Sequence, residues 1–343
     1  MIIKFKKAGF STRKSRRVKV EWLTLGLILG CYAAWLAAGL SYRSLPVLAI
    51  IVIPVMAAFQ SSLQHEALHG HPTRNAKINE ALVFLPIAVF YPFRRYKNLH
   101  LRHHADERLT DPYDDPESYY RALTDWEKLP GWMKKALQLN NALLGRVLIG
   151  PAIGVIGFGL TEIRLLAAGG KAHRIAWMLH IAGLVPVLLI VHYLFGMPLW
   201  LYGLLAYASL SILAIRSFCE HQWSEHPDGR TVIIEKSLLG LLFLNNNLHL
   251  VHHKRPTAAW YHLPRLYRER PEEWRRMNDG YVFRNYLDVL KAFGVKGKEP
   301  VVHPKTHVIA APIEHHPLAP TAQKQPFLVG PAGATVSQSL PLQ

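Results

Sequence analysis

Histidines at the spacing of metal ligands form three clusters in this chain, each beside a long apolar segment. The first cluster, residues 65–71, contains an HxxxH pattern, and the second and third, residues 100–104 and 249–253, both read HxxHH. Residues i, i+3 and i+4 share one face of an α-helix, so each HxxHH is expected to present three imidazoles to one point in space. Two copies of HxxHH together with an HxxxH are hard to explain by chance. We call these clusters the first, second and third histidine boxes and interpret them as metal-binding.

The number of histidines bears on the number of metals. Neutral imidazole suits zinc, copper, iron and nickel. A structural zinc takes four ligands and a catalytic zinc usually three, so the boxes hold more histidines than one metal can use. They suggest two metals instead. Two irons bound mainly by histidine near lipid would suit oxygen activation, for which side chains alone are inadequate.

Four long apolar segments predict the elements that position the boxes. Residues 23–40 and 45–63 form one closely spaced pair, and residues 175–197 and 199–215 form a second. Each segment is near the roughly 17–25 residues needed to cross a bilayer. Long apolar runs arranged as hairpins are rare in soluble folds, which disfavours the alternative of buried helices in a soluble protein. We expect an all-α integral membrane protein with about four transmembrane helices in two hairpins.

The distribution of charge predicts the orientation. The chain has a net charge of +17, and its first 20 residues carry eight Lys or Arg and no acid. The positive-inside rule places this basic tail, residues 1–21, in the cytoplasm. Four crossings then put all three boxes on the cytoplasmic side, as a shared metal site requires. Topology and anionic lipid headgroups explain the basic character, and nucleic-acid binding is disfavoured because no binding motif accompanies the dispersed Lys and Arg.

Shorter segments complete the predicted organisation. Residues 81–90 and 147–160 are apolar but short, and we interpret both as interfacial or re-entrant helices. If one of them crossed the membrane, the third box would lie on the wrong side. From residue 296 the composition changes to Pro, Ala, Gln and Ser without helical periodicity, which predicts a C-terminal tail, residues 296–343, without stable structure. The membrane domain is therefore expected over residues 22–295.

The order of the boxes resembles the membrane fatty acid desaturase superfamily, which includes related hydroxylases and carotenoid ketolases. The resemblance covers roughly residues 45–290: an HxxxH, an HxxHH, and a late HxxHH beyond a second pair of spans, with Asn247–His253 especially similar. It implies four transmembrane helices, a cytosolic helical cap that holds a diiron centre, and O2 as co-substrate.

The resemblance also implies the metal ligands. Family members use a lone histidine near the cytosolic end of the fourth span, and His221 occupies the corresponding place. His71 follows His69 by only two residues and would point away on a continuous helix, so we expect it beside the ligands or the substrate. The expected ligands are His65, His69, His100, His103, His104, His221, His249, His252 and His253.

Acidic residues near the boxes could orient the ligands. A metal-bound histidine usually donates its other N–H to a carboxylate or a carbonyl. Glu66, Asp106 and Glu220 are predicted in this role, Asp106 first because it follows the second box by two residues. Asp111, Asp114 and Asp115 could serve as well, or could form a solvated turn-rich loop. The histidines not expected to bind metal are His173, His180, His192, His226, His262, His303, His307, His315 and His316.

The resemblance implies removal of two vicinal hydrogens from an acyl or lipid-like chain to give a C=C bond. The alternatives are a diiron hydroxylase or ketolase of a lipid or carotenoid, and a desaturase of a small amphipathic metabolite such as dihydrorhizobitoxine. These reactions share one metal site and differ in how the substrate is held. A non-enzymatic metal binder or transporter is disfavoured, because transport sites usually place ionisable residues inside the spans.

Electrons must come from an external donor, because the sequence contains no haem-binding segment, Cys-rich iron–sulfur motif or flavin fingerprint. A ferredoxin, rubredoxin or cytochrome b5-like protein is expected to dock on the cytosolic face. We expect the protein in the inner or plasma membrane of a bacterium, with its N-terminus and boxes in the cytoplasm. The basic residues that would suit an acidic donor, or lipid phosphates, are Arg94, Arg95, Lys97, Arg102, Lys254 and Arg255.

Overall fold

The computed structural model describes residues 20–105 and 108–305. Asp106, His307, His315 and His316 lie outside the described residues, as does the predicted basic tail up to residue 19. The described part is mostly helical. Its helices are α1 (Trp22–Leu40), α2 (Pro46–Leu68), α3 (Ala76–Leu82), α4 (Phe93–Ala105), α5 (Leu123–Lys128), α6 (Gly131–Asn140), α7 (Leu143–Ala167), α8 (Lys171–Leu189), α9 (Leu199–Glu220), α10 (His249–Lys254), α11 (Leu263–Glu269), α12 (Pro271–Met277) and α13 (Tyr286–Phe293).

Shorter elements join these helices. A π-helical turn, Ile190–Leu194, extends α8, and 3-10 turns cover Pro227–Arg230 and Trp260–His262. Two short strands, β1 (Ile233–Ile234) and β2 (Val282–Phe283), pair in parallel. This pairing joins the segment before the third box to the segment before α13.

Two apolar hairpins, α1–α2 and α8–α9, form the core of the membrane domain. Trp35 Nε1 of α1 donates to Tyr202 Oη of α9 over 3.1 Å. At the far end, a Cβ on Gly39 would lie 2.1 Å from a ring carbon of Phe195, so only glycine allows the hairpins to approach this closely. The predicted all-α membrane fold with two hairpins is therefore confirmed.

In the described residues, five helices are long and apolar enough to cross a membrane: α1, α2, α7, α8 with its π-helical extension, and α9. The fifth candidate, α7, has 25 residues, longer than the interfacial segment predicted at 147–160. Its start, Leu143, belongs to the same buried cluster as Phe218 near the end of α9. Near its other end, Glu162 accepts hydrogen bonds from Arg95 Nε (2.8 Å) and Trp177 Nε1 (2.9 Å).

Both ends of α7 thus contact the side of the protein that carries the boxes, because Arg95 lies on α4 with the second box. A crossing by α7 would put His221, at the end of α9, on the opposite side from His103 of α4. The rings of these two histidines are 4.7 Å apart. We infer that α7 lies along the histidine-bearing side and that α1, α2, α8 and α9 cross the membrane.

The segment predicted as a helix at 81–90 is instead an irregular loop after α3, so that prediction is wrong. Side chains satisfy its backbone carbonyls: Tyr32 Oη donates to Leu85 O over 3.0 Å, and His180 Nε2 donates to Val89 O over 2.7 Å. Non-helical backbone at membrane depth is tolerated where protein groups pair its polar atoms. His180 is accordingly a structural histidine.

Residues 296–305, which the sequence assigned to the tail, pack on the membrane domain. Glu299 accepts hydrogen bonds from Tyr119 Oη (2.9 Å) and Trp223 N (2.8 Å). His303 N donates to Arg121 O over 2.9 Å, and its ring lies against Tyr120. The membrane domain therefore includes residues 296–305. Nothing in the sequence indicated this packing, because single charged residues in a Pro-containing segment have no periodic pattern.

Candidate metal centre

The nine histidines predicted as ligands converge in two adjacent groups. Within each group, one ring nitrogen of every histidine lies within 4.8 Å of those of the others. The three boxes and the end of α9 are thus brought to one place. Site A consists of His65, His69, His100, His104 and His252, and site B of His103, His221, His249 and His253.

Each HxxHH box contributes to both sites, contrary to the expectation that its three imidazoles meet at one point. In the second box, His100 and His104 belong to site A and His103 to site B; in the third, His249 and His253 belong to site B and His252 to site A. An α-helix turns about 100° per residue, so positions i and i+4 differ by about 40° whereas i+3 and i+4 differ by about 100°. The i, i+4 pair therefore faces one metal position and the i+3 residue faces the other.

The separations between ring nitrogens fit a coordination shell. In site A, His100 Nε2 lies 3.2 Å from His69 Nε2 and 3.0 Å from His104 Nε2. In site B, His249 Nε2 lies 3.1 Å from both His221 Nε2 and His253 Nε2. Nitrogens about 2.1 Å from a metal and at right angles to each other would be about 3 Å apart.

Three buried ring nitrogens of these histidines also lack a hydrogen-bond partner in the described part of the chain: His65 Nε2 and His104 Nδ1 in site A, and His103 Nε2 in site B. A buried polar atom without a partner is costly, and metal ions at the two sites would satisfy His65 Nε2 and His103 Nε2. The two sites are in direct contact: the rings of His104 and His253 stack at 4.2 Å. The residues present therefore fit two neighbouring metal ions.

Hydrogen bonds to Nδ1 orient the ligands with Nε2 inward. His103 Nδ1 lies 2.7 Å from Asp115 Oδ1, and His100 Nδ1 lies 2.7 Å from Glu117 Oε1. His221 Nδ1 lies 3.2 Å from the carbonyl of Arg230. A proton on Nδ1 donated to such an acceptor leaves the Nε2 lone pair free for a metal.

Two of the predicted orienting acids lie next to the site. Glu220 Oε1 accepts a hydrogen bond from Asn246 Nδ2 (3.0 Å), and Asn246 Oδ1 lies 3.1 Å from His249 Nδ1. Glu220 thus acts on His249 through Asn246. Glu66 is buried with its carboxylate 3.8 Å from His65 Nδ1.

The loop between α4 and α5 holds the closest acids. Asp115, which the sequence left open between orienting a ligand and a solvated loop, contacts His103. Asp114 pairs with Arg108 at 2.6 Å instead. Glu117 was missed altogether, because the loop that returns it to His100 carries no periodic signal.

His71 belongs to neither site. Its Nδ1 lies 2.8 Å from Glu21 Oε1, just before α1. Its partner is therefore an acid that precedes α1 and not a histidine of either site. His303 is likewise remote, with its ring 4.7 Å from that of Trp223.

Burial and mutual repulsion keep most of the imidazoles neutral. They lower the pKa of His69 and His221 to about 3, so both rings are in the metal-binding form at neutral pH. His103 differs: burial opposes its protonation, but the carboxylates of Glu117 and Asp115 outweigh burial and raise the pKa of His103 to about 9. Those two carboxylates favour a cation at this position, whether a proton or a metal ion.

Two cavities border the centre. The first, which we call the groove, has a volume of about 420 Å³ and is mainly apolar. It lies among α2, α7, α9 and the loop after α3, and its wall includes Glu117, which holds His100, together with Gln64 and Leu99, which precede His65 and His100 in the chain. The second, the outer cavity, measures about 590 Å³ and exposes His104 and His253 beside Asp228 and Lys254.

These features define a multi-pass helical membrane protein with a paired histidine site that could hold metal. The chain belongs to the fatty acid desaturase family: the family model described as "Fatty acid desaturase" matches residues 42–285. The matched range contains all nine histidines of the two sites, and the resemblance predicted from the boxes is confirmed. A comparison with curated proteins found no match.

Proposed function

We propose that this protein is an O2-dependent membrane desaturase that uses two iron ions to introduce a C=C bond into an acyl or lipid-like chain. The observation that carries the proposal is an apolar groove beside two histidine-only sites, with Glu117, the hydrogen-bond partner of His100 in site A, in its wall. Bound iron would supply the activation of O2 needed to break an unactivated C–H bond. The overall reaction balances when O2, two electrons and two protons accept the two hydrogens of the substrate and leave as two waters.

The protein's own residues would hold the substrate and the ligands. Gln64 and Leu99 line the groove and directly precede His65 and His100 in the chain, so a chain in the groove lies beside site A. The Tyr96 ring also lines the groove, 5.7 Å from that of His100. Holding one C–H bond at a fixed position next to the centre decides between desaturation and hydroxylation.

The outer cavity offers a route for electrons from a ferredoxin, rubredoxin or cytochrome b5-like donor. It exposes the stacked rings of His104 and His253, one from each site. Of the basic residues predicted to attract the donor, Arg95 is buried against Glu162, with Nη2 2.8 Å from Oε1, and cannot contribute. Arg102 and Arg255 are exposed, and we propose that they contact the donor. With the basic N-terminus, they support our proposal that the histidine sites face the cytoplasm, in the inner or plasma membrane of a bacterium.

Profiling of lipids and metabolites in a host with and without the gene tests the reaction. A desaturase yields a product lighter than its substrate by two hydrogen atoms, whereas a hydroxylase yields one heavier by an oxygen atom. Product formation should require O2 and a reductant. A protein that binds zinc alone, with no new product and no oxygen uptake, would be a metal binder and would refute the proposal.

A further inference from the structure

Arg146 places a positive charge at the wall of the groove. It lies in the first turn of α7, largely withdrawn from solvent, and its Nε donates to Asn140 O over 3.1 Å. The guanidinium lies over the rings of Tyr119 (4.9 Å) and Phe218 (5.9 Å). Among the described residues, no carboxylate lies within ion-pair distance of Arg146, whereas Arg216 in the same wall pairs with Glu220 at 2.8 Å.

The surroundings of Arg146 leave its charge uncompensated. Lys298 lies over the same Tyr119 ring, 5.0 Å from its centroid, and pairs with Glu299 at 3.3 Å. Glu299 therefore pairs with Lys298 and not with Arg146. Because an unpaired charge away from water is costly, an anion at Arg146 would be strongly favoured.

The face of α7 next to Arg146 suits an apolar body attached to that anion. Gly150, Gly154 and Phe158 follow at intervals of four and line the groove with Arg146, along about 18 Å of helix. A Cβ on Gly150 would lie 2.7 Å from Arg146 Cδ, and a Cβ on Gly154 would lie 3.4 Å from Tyr91 Oη. Gly150 thus gives space to the Arg146 side chain, Gly154 leaves the groove open beside Tyr91, and the Phe158 ring packs 4.9 Å from that of Tyr91.

The charged end of the groove is also the end next to the metal site. Tyr119 Oη, beneath Arg146, lies 2.8 Å from His221 O. Glu117, two residues earlier, lines the groove and holds His100. An anion at Arg146 would therefore bring the first few bonds of the attached chain close to sites A and B.

Building on the proposed function, we infer that the substrate is an amphipathic acid whose free carboxylate or phosphate pairs with Arg146 inside the groove. Its apolar body runs along the glycine face of α7, and the oxidised carbon lies near the acidic group. This differs from an acyl chain linked to a carrier through an ester or thioester, whose own carboxyl group is uncharged and whose carrier phosphates lie many bonds away from the acyl chain.

Ligand binding to the full-length, iron-loaded protein in detergent tests the inference without turnover. The probes are octanoate, octyl phosphate and the neutral isostere octanamide. We expect the wild-type protein to bind one of the anions at least about tenfold more tightly than octanamide, the scale of a buried charge-assisted hydrogen bond. The preferred anion identifies the head group. Equal affinity for all three probes would overturn the inference.

Arg146→Met should abolish that preference while leaving octanamide binding unchanged, and Arg146→Lys should keep part of it. The matched control is Arg164→Met, which removes an exposed arginine from the same helix. A preference for the anion that survives in Arg146→Met would overturn the inference. Should Arg146→Met not fold, judged by iron content and elution volume, Arg146→Lys and Arg146→Gln decide the question by the same criterion. Loss of iron or oxygen uptake in the wild type would instead contradict the proposed function.

Discussion

Sites A and B share the same ligand chemistry but are held in different ways. In site B, outward hydrogen bonds fix His103, His221 and His249 through Asp115, the Arg230 carbonyl and Asn246. In site A, His100 is the one histidine with such an outer hydrogen bond among the described residues, and its partner is Glu117. Site A also has two partly exposed members, His69 and His104, against one in site B.

The difference assigns the two sites different tasks. Outer hydrogen bonds fix the orientation of a metal ligand and raise metal affinity. Site B, whose histidines have more outer hydrogen bonds, is therefore expected to bind its metal ion more tightly than site A. Site A, at the end of α2 and next to Gln64, Leu99 and Tyr96 of the groove, is expected to be the position nearer the substrate.

Removing one ligand from each site should give the largest effect. His252→Ala in site A and His249→Ala in site B should each abolish product formation, because both metals are needed, and each should leave about half of the wild-type iron. Product analysis and metal analysis check this. His262→Ala, at an exposed histidine outside both sites, is the control. Full turnover in either ligand variant would contradict the two-site assignment.

Weakening one outer hydrogen bond in each site sharpens the comparison. Asp115→Asn should lower metal affinity at site B by about 10–100-fold, and Glu117→Gln should do so at site A. Site B keeps its outer hydrogen bonds to His221 and His249 in the Asp115→Asn variant. We therefore expect Asp115→Asn to lower metal affinity less than Glu117→Gln does. Metal titration with a competing chelator measures both affinities. A larger loss in Asp115→Asn would reverse our assignment of the tighter site.

Filling the groove should separate substrate binding from metal binding. Gly154→Leu projects a side chain into the groove near Tyr91 without touching either site. We expect unchanged iron content, unchanged affinity for hexanoate and about tenfold weaker binding of dodecanoate, because only the longer chain reaches residue 154. Gly157→Leu, on the same helix at an open position, is the control. Equal losses of affinity for hexanoate and dodecanoate would show that the alkyl chain of the ligand does not run past residue 154.

The position of α7 can be tested at exposed residues, where a substitution should have the smallest effect on stability. The two native cysteines are buried, so they are left in place, and single cysteines at Asp125, Arg164 and Ser44 are labelled with a membrane-impermeant maleimide, with the unsubstituted protein as the control. We expect Arg164→Cys to react from the same side as Asp125→Cys and from the opposite side to Ser44→Cys. Labelling of Arg164→Cys from the Ser44 side would show that α7 crosses the membrane.

The sequence predicted the histidines of the two sites better than their surroundings. Histidine spacing is a local property and singled out the eight histidines of the boxes that belong to the two sites, whereas His221 followed from the family resemblance. Local spacing did not predict the division of each HxxHH between two sites, which depends on where the partner helices lie. Glu117, Arg146 and the Lys298–Glu299 pair could not be predicted either, because loops of irregular length return them to the site. The extent of α7 was missed because apolar composition alone does not distinguish a long surface helix from a short one.

Metal analysis combined with oxygen uptake tests the central claim most directly. The full-length protein is purified without chelators, loaded with ferrous iron under anaerobic conditions, reduced and exposed to O2. The two histidine sites predict about two irons per chain and oxygen uptake that depends on the reductant. One iron per chain, or zinc in place of iron with no oxygen uptake, would contradict a two-iron oxygen site.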